Sequence, residues 1–334
     1  MHNLKTIGIA ALAAAVTLTG CSQGDGGSDG TGGTGGGGDT DYPEDDITYV
    51  IPYPAGSAPD AQGRIIAQQL EDDLGVSVVV QNVEGGAGTI GLYDLARADA
   101  DGYTIGIGTA SAAIQSRAID TPFEGLESLT PIAQTTETVN VLYATPDKGW
   151  DTFEDFVAEA KERPGELQVG LPPAGSGQHI GWLAFEEAAG IDVREVHFDA
   201  GQMVLPAVNG TVDASVSQPG PVVQYVEKGD LGFLGAWGEQ LPEGLDAPLF
   251  VESGLEVNRF VGWEGVFGPA EMPDDARDVL AEAIQRAVES DAFQQHVAKT
   301  YGVAEFIGGD DFTAVVEETD AVGAEIVEEL EMGN

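Results

Sequence analysis

The chain has 334 residues, with 57 acidic against 13 basic side chains, for a formal charge of -44, and only four histidines and one cysteine. At roughly 150 residues per domain the length suggests two domains, and a hydrophobic fraction of 42% is ordinary for a chain with a real core, which excludes general disorder. So acidic a chain, with no cluster of bases, excludes phosphate-backbone recognition and would be repelled by anionic membrane surfaces.

The N-terminus carries Lys5, an apolar run from Ile7 to Leu18, and then Leu18-Thr19-Gly20-Cys21. This arrangement resembles the lipobox of a lipoprotein signal, with small residues before a cysteine that takes the lipid after cleavage. The apolar run is too short to span a hydrocarbon core of about 30 Å. Residues 1–20 are therefore expected to be a signal peptide, with a mature chain anchored at Cys21 on the outer side of a membrane. Ser22 to Asp46 is mostly Gly, Ser, Thr and Asp. It reads as a flexible tether, because so little apolar surface cannot offset chain entropy.

From Ile47 onward, short β-branched runs alternate with longer amphipathic ones, the pattern of an α/β fold with parallel strands. Strands are predicted at Ile47 to Tyr53, Ser77 to Asn82, Tyr103 to Thr109, Val139 to Ala144 and Leu167 to Leu171. Further strands are predicted at Glu195 to Phe198, Ala214 to Ser217, Leu231 to Trp237 and Val261 to Phe267. A helix is predicted over Ala61 to Leu74, with Ile65, Gln69 and Leu70 turned inward. Another, over Asp151 to Arg163, has Thr152 and Asp155 in capping-box positions and stops at Pro164-Gly165. Asp274 to Lys299 and Asp311 to Glu331 read as two surface helices.

Three strand-to-helix loops combine small residues with glycine and hydroxyls. They are Tyr53-Pro54-Ala55-Gly56-Ser57-Ala58-Pro59-Asp60, Gly85-Gly86-Ala87-Gly88-Thr89-Ile90-Gly91 and Gly108-Thr109-Ala110-Ser111. Helix starts of this kind attract anions through unpaired N–H groups and the helix dipole. In open α/β sheets such loops lie at the carboxyl ends of the strands, where ligands bind. The second loop contains Gly86-x-Gly88-x-x-Gly91, but the next strand ends in Thr109 and Ala110 instead of the acid that a dinucleotide ribose requires. Nicotinamide binding is therefore not expected.

These loops, with Val50-Ile51-Pro52 before the first, Gln81-Asn82 before the second and Asp101-Gly102-Tyr103-Thr104 before the third, resemble the substrate-binding proteins of tripartite tricarboxylate transporters, the Bug or TctC-like family. The likeness continues through Gly175-Ser176-Gly177-Gln178-His179, Asn209-Gly210-Thr211-Val212-Asp213 and Phe267-Gly268-Pro269-Ala270. It implies a two-lobed, periplasmic-binding-protein-like α/β fold of type II with crossing hinge strands. Lobe 1 would comprise 47–137 and 263–334, and lobe 2 would comprise 138–262. The resemblance also implies a small organic carboxylate held by Tyr53, Pro54, Ala55, Gly56, Ser57, Ala58 and Asp60 of the first loop. Ala87, Gly88 and Thr89 of the second loop, Thr109 and Ser111 of the third, and Ser176, Gly177, His179, Asp199 and Gln218 of the other lobe would complete the set. Two departures stand out. The family's Gly-rich first loop reads Ser57-Ala58-Pro59 here, and its usual Tyr-Lys-Gly stretch reads Phe198-Asp199-Ala200-Gly201. The missing lysine leaves Asp199 to repel a second carboxylate or favour an amine.

Ser176, His179 and Asp199 are the residue types of a nucleophilic triad, but no Gly-x-Ser-x-Gly elbow accompanies them. His179 reads as a helix-end donor and His197 as a satisfied core histidine. Asp99-Ala100-Asp101-Gly102 lacks the rest of a calcium loop, and the histidines and cysteine form no transition-metal spacing, so no metal or cofactor is expected. Asn209-Gly210 reads as a tight turn. The four tryptophans read as core, with Trp263 on the return strand placed to face a hinge.

The expected function is that of an extracytoplasmic, lipid-anchored, monomeric solute receptor that closes on an organic acid and delivers it to membrane transporter subunits. The alternatives are a secreted α/β hydrolase-like enzyme and a surface sensor or adhesion domain. A receptor this negative would repel an anionic ligand at low salt, so a salt-loving host is expected.

Overall fold

In the computed structural model, eleven strands in two sheets, one of six strands and one of five, are joined by ten helices among the described residues 42–118, 120–174, 176–199, 202–238, 240–253 and 262–329. The predicted signal peptide and Cys21 lie outside these residues. The last part of the segment read as tether is described and is bound to the body. Tyr42 donates to the Gly102 carbonyl at 2.7 Å and stacks edge-on against Tyr103 at 5.2 Å, while the Glu44 N–H donates to the Tyr103 hydroxyl.

The first part of the chain runs β1 (Ile47–Ile51), α1 (Ala58–Leu74), β2 (Val78–Asn82), α2 (Thr89–Ala96), β3 (Thr104–Thr109), α3 (Ala110–Ala118) and β4 (Leu129–Thr138). It crosses to a second sheet at Val139. There follow β5 (Asn140–Ala144), α4 (Phe153–Glu162), β6 (Gln168–Leu171), α5 (Gly177–Ala189), β7 (Arg194–His197), α6 (Val204–Val208), β8 (Ala214–Ser217), α7 (Gly220–Val226) and β9 (Gly232–Trp237). The return brings β10 (Gly262–Pro269), α8 (Asp274–Glu289), α9 (Asp291–Lys299), β11 (Val303–Gly308) and α10 (Gly309–Glu329) back to the first sheet. The strand orders are β11-β4-β10-β3-β1-β2 and β7-β6-β8-β5-β9.

Both sheets are mixed, which corrects the expectation of parallel strands. The βαβ units β1-β2, β1-β3, β6-β7 and β6-β8 are parallel, while β10 is antiparallel to β3 and β4, β11 to β4, and β5 to β8 and β9. The antiparallel pairs arise where the chain enters and leaves each sheet. β4 and β11 were not anticipated: polar Thr and Gln interrupt β4, and β11 carries no apolar alternation. Gln134, Thr135, Thr136 and Glu137 of β4 are nevertheless buried, because neighbouring strands flank it on both sides.

Local chemistry sets the helix ends. Ser57 caps α1 by accepting from the Asp60 N–H, and Gly75 ends it in the left-handed conformation at φ 73°. The inward face of α1 is Gln62, Gly63, Ile66, Ala67 and Leu70; Ile65 and Gln69 lie half-exposed at its border, which corrects two of the three expected positions. Asp155 accepts from the Thr152 N–H at 3.1 Å, the expected capping box, and α4 begins at Phe153, two residues after the expected start. The predicted helix from Asp274 to Lys299 is two helices. Ser290 leaves helical geometry at ψ 145° and caps α9 through the Phe293 N–H.

The core of the five-stranded sheet is aromatic. Phe250 stands 4.6 Å from Trp237, 5.0 Å from Phe153 and 5.1 Å from Phe185, centroid to centroid. Gly235 of β9 makes room for it, since a Cβ there would lie 2.1 Å from the Phe250 ring. At the other sheet, α10 lies on α3, with Arg117 clamped bidentately on Asp320 at 2.5 and 2.6 Å. Trp263 of β10 donates to Thr319 of α10 at 2.9 Å, so the C-terminal helix fixes the ring at the start of the return strand.

Candidate functional site

Where the chain changes sheets it opens a cavity of about 240 Å³. One wall comes from the six-stranded side: Thr109 at the end of β3, Ser111 and Gln115 of α3, Thr138 of β4, and Trp263 and Glu264 of β10. The other comes from Asn140 of β5, Ser176, Gly177, Gln178 and Gly181 at the start of α5, Gln218 after β8, and Trp237 of β9. The two crossings pair with strands of their own sheets, Thr138 with Gly262 and Asn140 with Trp237, which holds the floor of the cleft. Ile180 and Ala184 of α5 share a buried cluster with Ile114 of α3, so apolar packing joins the walls above it.

The lining is mainly hydroxyl, amide and indole. Thr109 Oγ1 lies 3.1 Å from the Tyr53 hydroxyl and 3.2 Å from Ser111 Oγ, a chain of three hydroxyls running from the first loop into the cleft. Burial pushes the Tyr53 hydroxyl up to about 12, so it remains a neutral hydrogen-bonding group. Gln178 donates to Asn140 at 2.9 Å, tying α5 to the first crossing. Among the described residues no lysine or arginine lines this cavity, and α3 and α5 both begin at it. Unpaired N–H groups at such starts offer positive potential without a cationic side chain.

Among the described residues Glu264 is the one carboxyl in this wall. Its Oε2 is shut away from solvent with no hydrogen-bond partner, while the residue as a whole keeps some exposure at the cavity. Burial pushes its carboxyl up to about 7, because desolvation disfavours the charged form. Behind it lies a smaller cavity of about 40 Å³, lined among others by Ala58, Gln62, Thr136 and Gln218. Gln62 Oε1 and Thr136 Oγ1 are also buried there without a protein partner, so polar oxygens converge on this chamber.

Of the residues expected from the sequence, Thr109, Ser111, Ser176, Gly177 and Gln218 come together at the main cavity, and Ala58 at the smaller one. Tyr53 reaches the main cavity through Thr109. Gly88 packs against the Tyr53 ring; a Cβ there would lie 3.3 Å from its hydroxyl. The remainder of the first loop is structural or outward. Pro54, Ala55 and Gly56 are exposed, and Ser57 caps α1. Asp60 is 3% exposed and accepts from the Gly56 N–H at 2.8 Å, Asn82 at 2.8 Å and Arg64 at 3.0 Å. Burial alone would raise its pKa, but the hydrogen bonds from Arg64, Gly56 and Asn82 outweigh that and hold it at about 2. Thr89 donates back to the Gly86 carbonyl at 2.8 Å, and the side chain of Ala87 lies outside the described residues.

The residues expected of the other lobe divide similarly. The Ser176 hydroxyl accepts from the His179 N–H at 3.3 Å as the cap of α5. His179 does not line the cavity; its Nε2 lies 3.2 Å from Glu195. Asp199 lines a separate groove with Pro173, His197 and Phe198. His197 is exposed on the edge strand β7, which corrects its reading as a core histidine.

Gln115, Asn140, Gln178 and Glu264 were missed. Glu264 did carry a signal, an acid inside a run otherwise apolar or glycine. The amides carried none, since their convergence depends on where the crossings fall.

Residues 63–332 match the family model of the tripartite tricarboxylate transporter family receptor, TctC. The chain is 28% identical over 256 residues to Protein BugT of Bordetella pertussis, covering 75% of this chain and 78% of that protein. A TctC solute-binding protein from Polaromonas superposes with a TM-score of 0.79 at 25% identity, over 86% of this chain and 99% of that one. MatC from Rhodopseudomonas palustris, solved with bound malate, shares the fold at a TM-score of 0.66 and 21% identity, over 86% and 100% of the respective chains. The α/β fold of two mixed sheets joined by crossing strands is thus the periplasmic-binding-protein-like fold of these receptors, and the chain belongs to the TctC family of solute-binding receptors.

Proposed function

We propose that this receptor is held outside the cytoplasm by a lipid on Cys21 and closes on a small organic carboxylate for delivery to a tripartite-type membrane transporter. The observation that carries the ligand class is the cleft between the sheets. It is lined by hydroxyls and amides, it is met by the starts of α3 and α5, and it is of a size for a small acid. The malate bound by MatC supports the same class.

In this reading the lobes are 47–137 with 263–334, and 138–262, rotating about Val139 and the return segment before β10. Thr109, Ser111, Ser176, Gly177, Gln178 and Gln218 contact the ligand. Tyr53, Gly88, Thr89, Ser57 and Asp60 shape the loops behind them. A neutral Glu264 lets an anion approach and donates a hydrogen bond to it, so binding takes up a proton above about pH 7. Titration calorimetry of the folded protein against mono-, di- and tricarboxylates tests the proposal. Saturable heat from at least one class is expected, and silence across the panel would overturn it.

A further inference from the structure

His179, Glu195 and His197 are separated along the chain, yet their donor atoms lie within 4.8 Å of one another. His179 belongs to the first turn of α5. Glu195 and His197 are two apart on β7, so the period of a strand puts both on one face. Both imidazole Nε2 atoms converge on the same carboxylate oxygen, Glu195 Oε2, at 3.2 Å from His179 and 3.1 Å from His197.

The hydrogen bonding of His197 is specific. Its Nδ1 lies 2.7 Å from the Pro172 carbonyl, which only accepts, so Nδ1 carries a hydrogen. Nε2 then faces a carboxylate, also an acceptor, and the pair needs a cation or a second proton between them. Metal-ligating histidines use this arrangement, with the far ring N–H donated to a backbone carbonyl and the near nitrogen turned to the ion. The two nitrogen-to-oxygen separations also fit. Zinc bonds of about 2.0 to 2.2 Å in a tetrahedron hold neighbouring donors roughly 3.3 to 3.5 Å apart, close to the two nitrogen-to-oxygen distances.

The side chains are 8%, 25% and 33% exposed for His179, Glu195 and His197. His197 also lines a groove with Pro173, Ala174, Phe198, Asp199 and Gln202, where Asp199 adds negative charge. We propose that His179, Glu195 and His197 form a binding site for a divalent transition-metal ion of the zinc class, with one coordination position open toward this groove. Two imidazoles with one carboxylate select such ions over magnesium and calcium, which prefer oxygen alone.

The site is distinct from the cleft and independent of the ligand assignment, but it adjoins it mechanically. His179 lies three residues after Ser176, so a bound ion would pin the start of α5, which carries Ser176, Gly177 and Gln178 of the cleft wall, to the edge strand β7.

The test is equilibrium dialysis of the chelator-stripped full chain with Zn²⁺, in about 1 M salt and excess Mg²⁺, so that diffuse binding to the acidic surface is screened. One equivalent is expected to remain bound. Co²⁺ in its place should give the intense visible absorption of a tetrahedral nitrogen-containing site. His197→Gln and Glu195→Gln should each weaken binding at least about tenfold. No retained Zn²⁺, equal retention by both variants, or the weak absorption of octahedral Co²⁺ would overturn the proposal and leave a histidine-carboxylate ion pair only.

Discussion

Glu264 and Thr109 stand directly opposite each other on the antiparallel strands β10 and β3. Their pairing sets a desolvated carboxyl beside the middle of the Tyr53-Thr109-Ser111 hydroxyl chain, at the cleft.

Glu264→Gln is the direct probe of that point. The folded carboxyl titrates near 7 against 4.5 unperturbed, so it holds its proton more tightly folded than unfolded. Its contribution to stability is full below pH 4.5 and is lost as pH rises through 7. The variant should melt like the parent near pH 4 and be more stable by roughly 2 kcal/mol near pH 8, less than the full equivalent of the shift because the residue keeps some solvent contact. Thermal melts across pH check this. Carboxylate affinity should fall above pH 7 in the parent and stay level in the variant.

Asp60 has the opposite sign. Held at about 2 against 3.8, its carboxylate adds stability above the unfolded value that disappears as pH falls through 2. Asp60→Asn should cost about 2 kcal/mol at neutral pH and flatten the acid limb of the stability curve. Urea titrations at several pH values measure both effects, and ligand affinity should drop as well, since the same side chain holds the first loop.

Ser176→Ala removes a helix cap and a cleft hydroxyl together. The lost cap should cost about 1 kcal/mol of stability, and carboxylate affinity should fall by about tenfold if the hydroxyl meets the ligand. Ser57→Ala, which removes a cap outside the cleft lining, should show the stability loss with a smaller change in affinity. Parallel calorimetry and melting of the two variants separate the roles.

Gly235→Ala tests the aromatic core. The added Cβ meets Phe250, itself enclosed by Trp237, Phe153 and Phe185. Overpacking of this kind costs about 1 to 3 kcal/mol. A lower denaturant midpoint with a changed near-ultraviolet signal of Trp237 is expected.

A formal charge of -44 should slow the arrival of an anionic ligand at low salt. Stopped-flow association rates should rise with ionic strength and level off as the Debye length approaches about 3 Å near 1 M salt. A rate that fell with salt would contradict a repulsive field.

Much of the cleft was legible beforehand because its parts are local. Ser57, Ser176 and Thr152 announce helix starts, and the loop after β2 is glycine-rich for close approach. Strands such as β1 and β8, buried along their length, read as continuous β-branched or small-residue runs. The antiparallel pairing of β4, β10 and β11 was not legible, because polar residues on β4 are buried by neighbours that arrive from far along the chain. The inward face of α1 was displaced by one position for a similar reason: what packs over it decides between Ile65 and Ile66.

Residue order alone therefore settles many of the helices and strands and where hydroxyls cap them, since those depend on neighbours a few positions away. The approach of Glu264 to Thr109, of Asn140 to Gln178, and of His179 and His197 to one oxygen of Glu195 belongs to the folded chain. Each joins residues whose separation is closed only when the strands find their places in the sheets, and desolvation then gives those groups properties that no local pattern encodes.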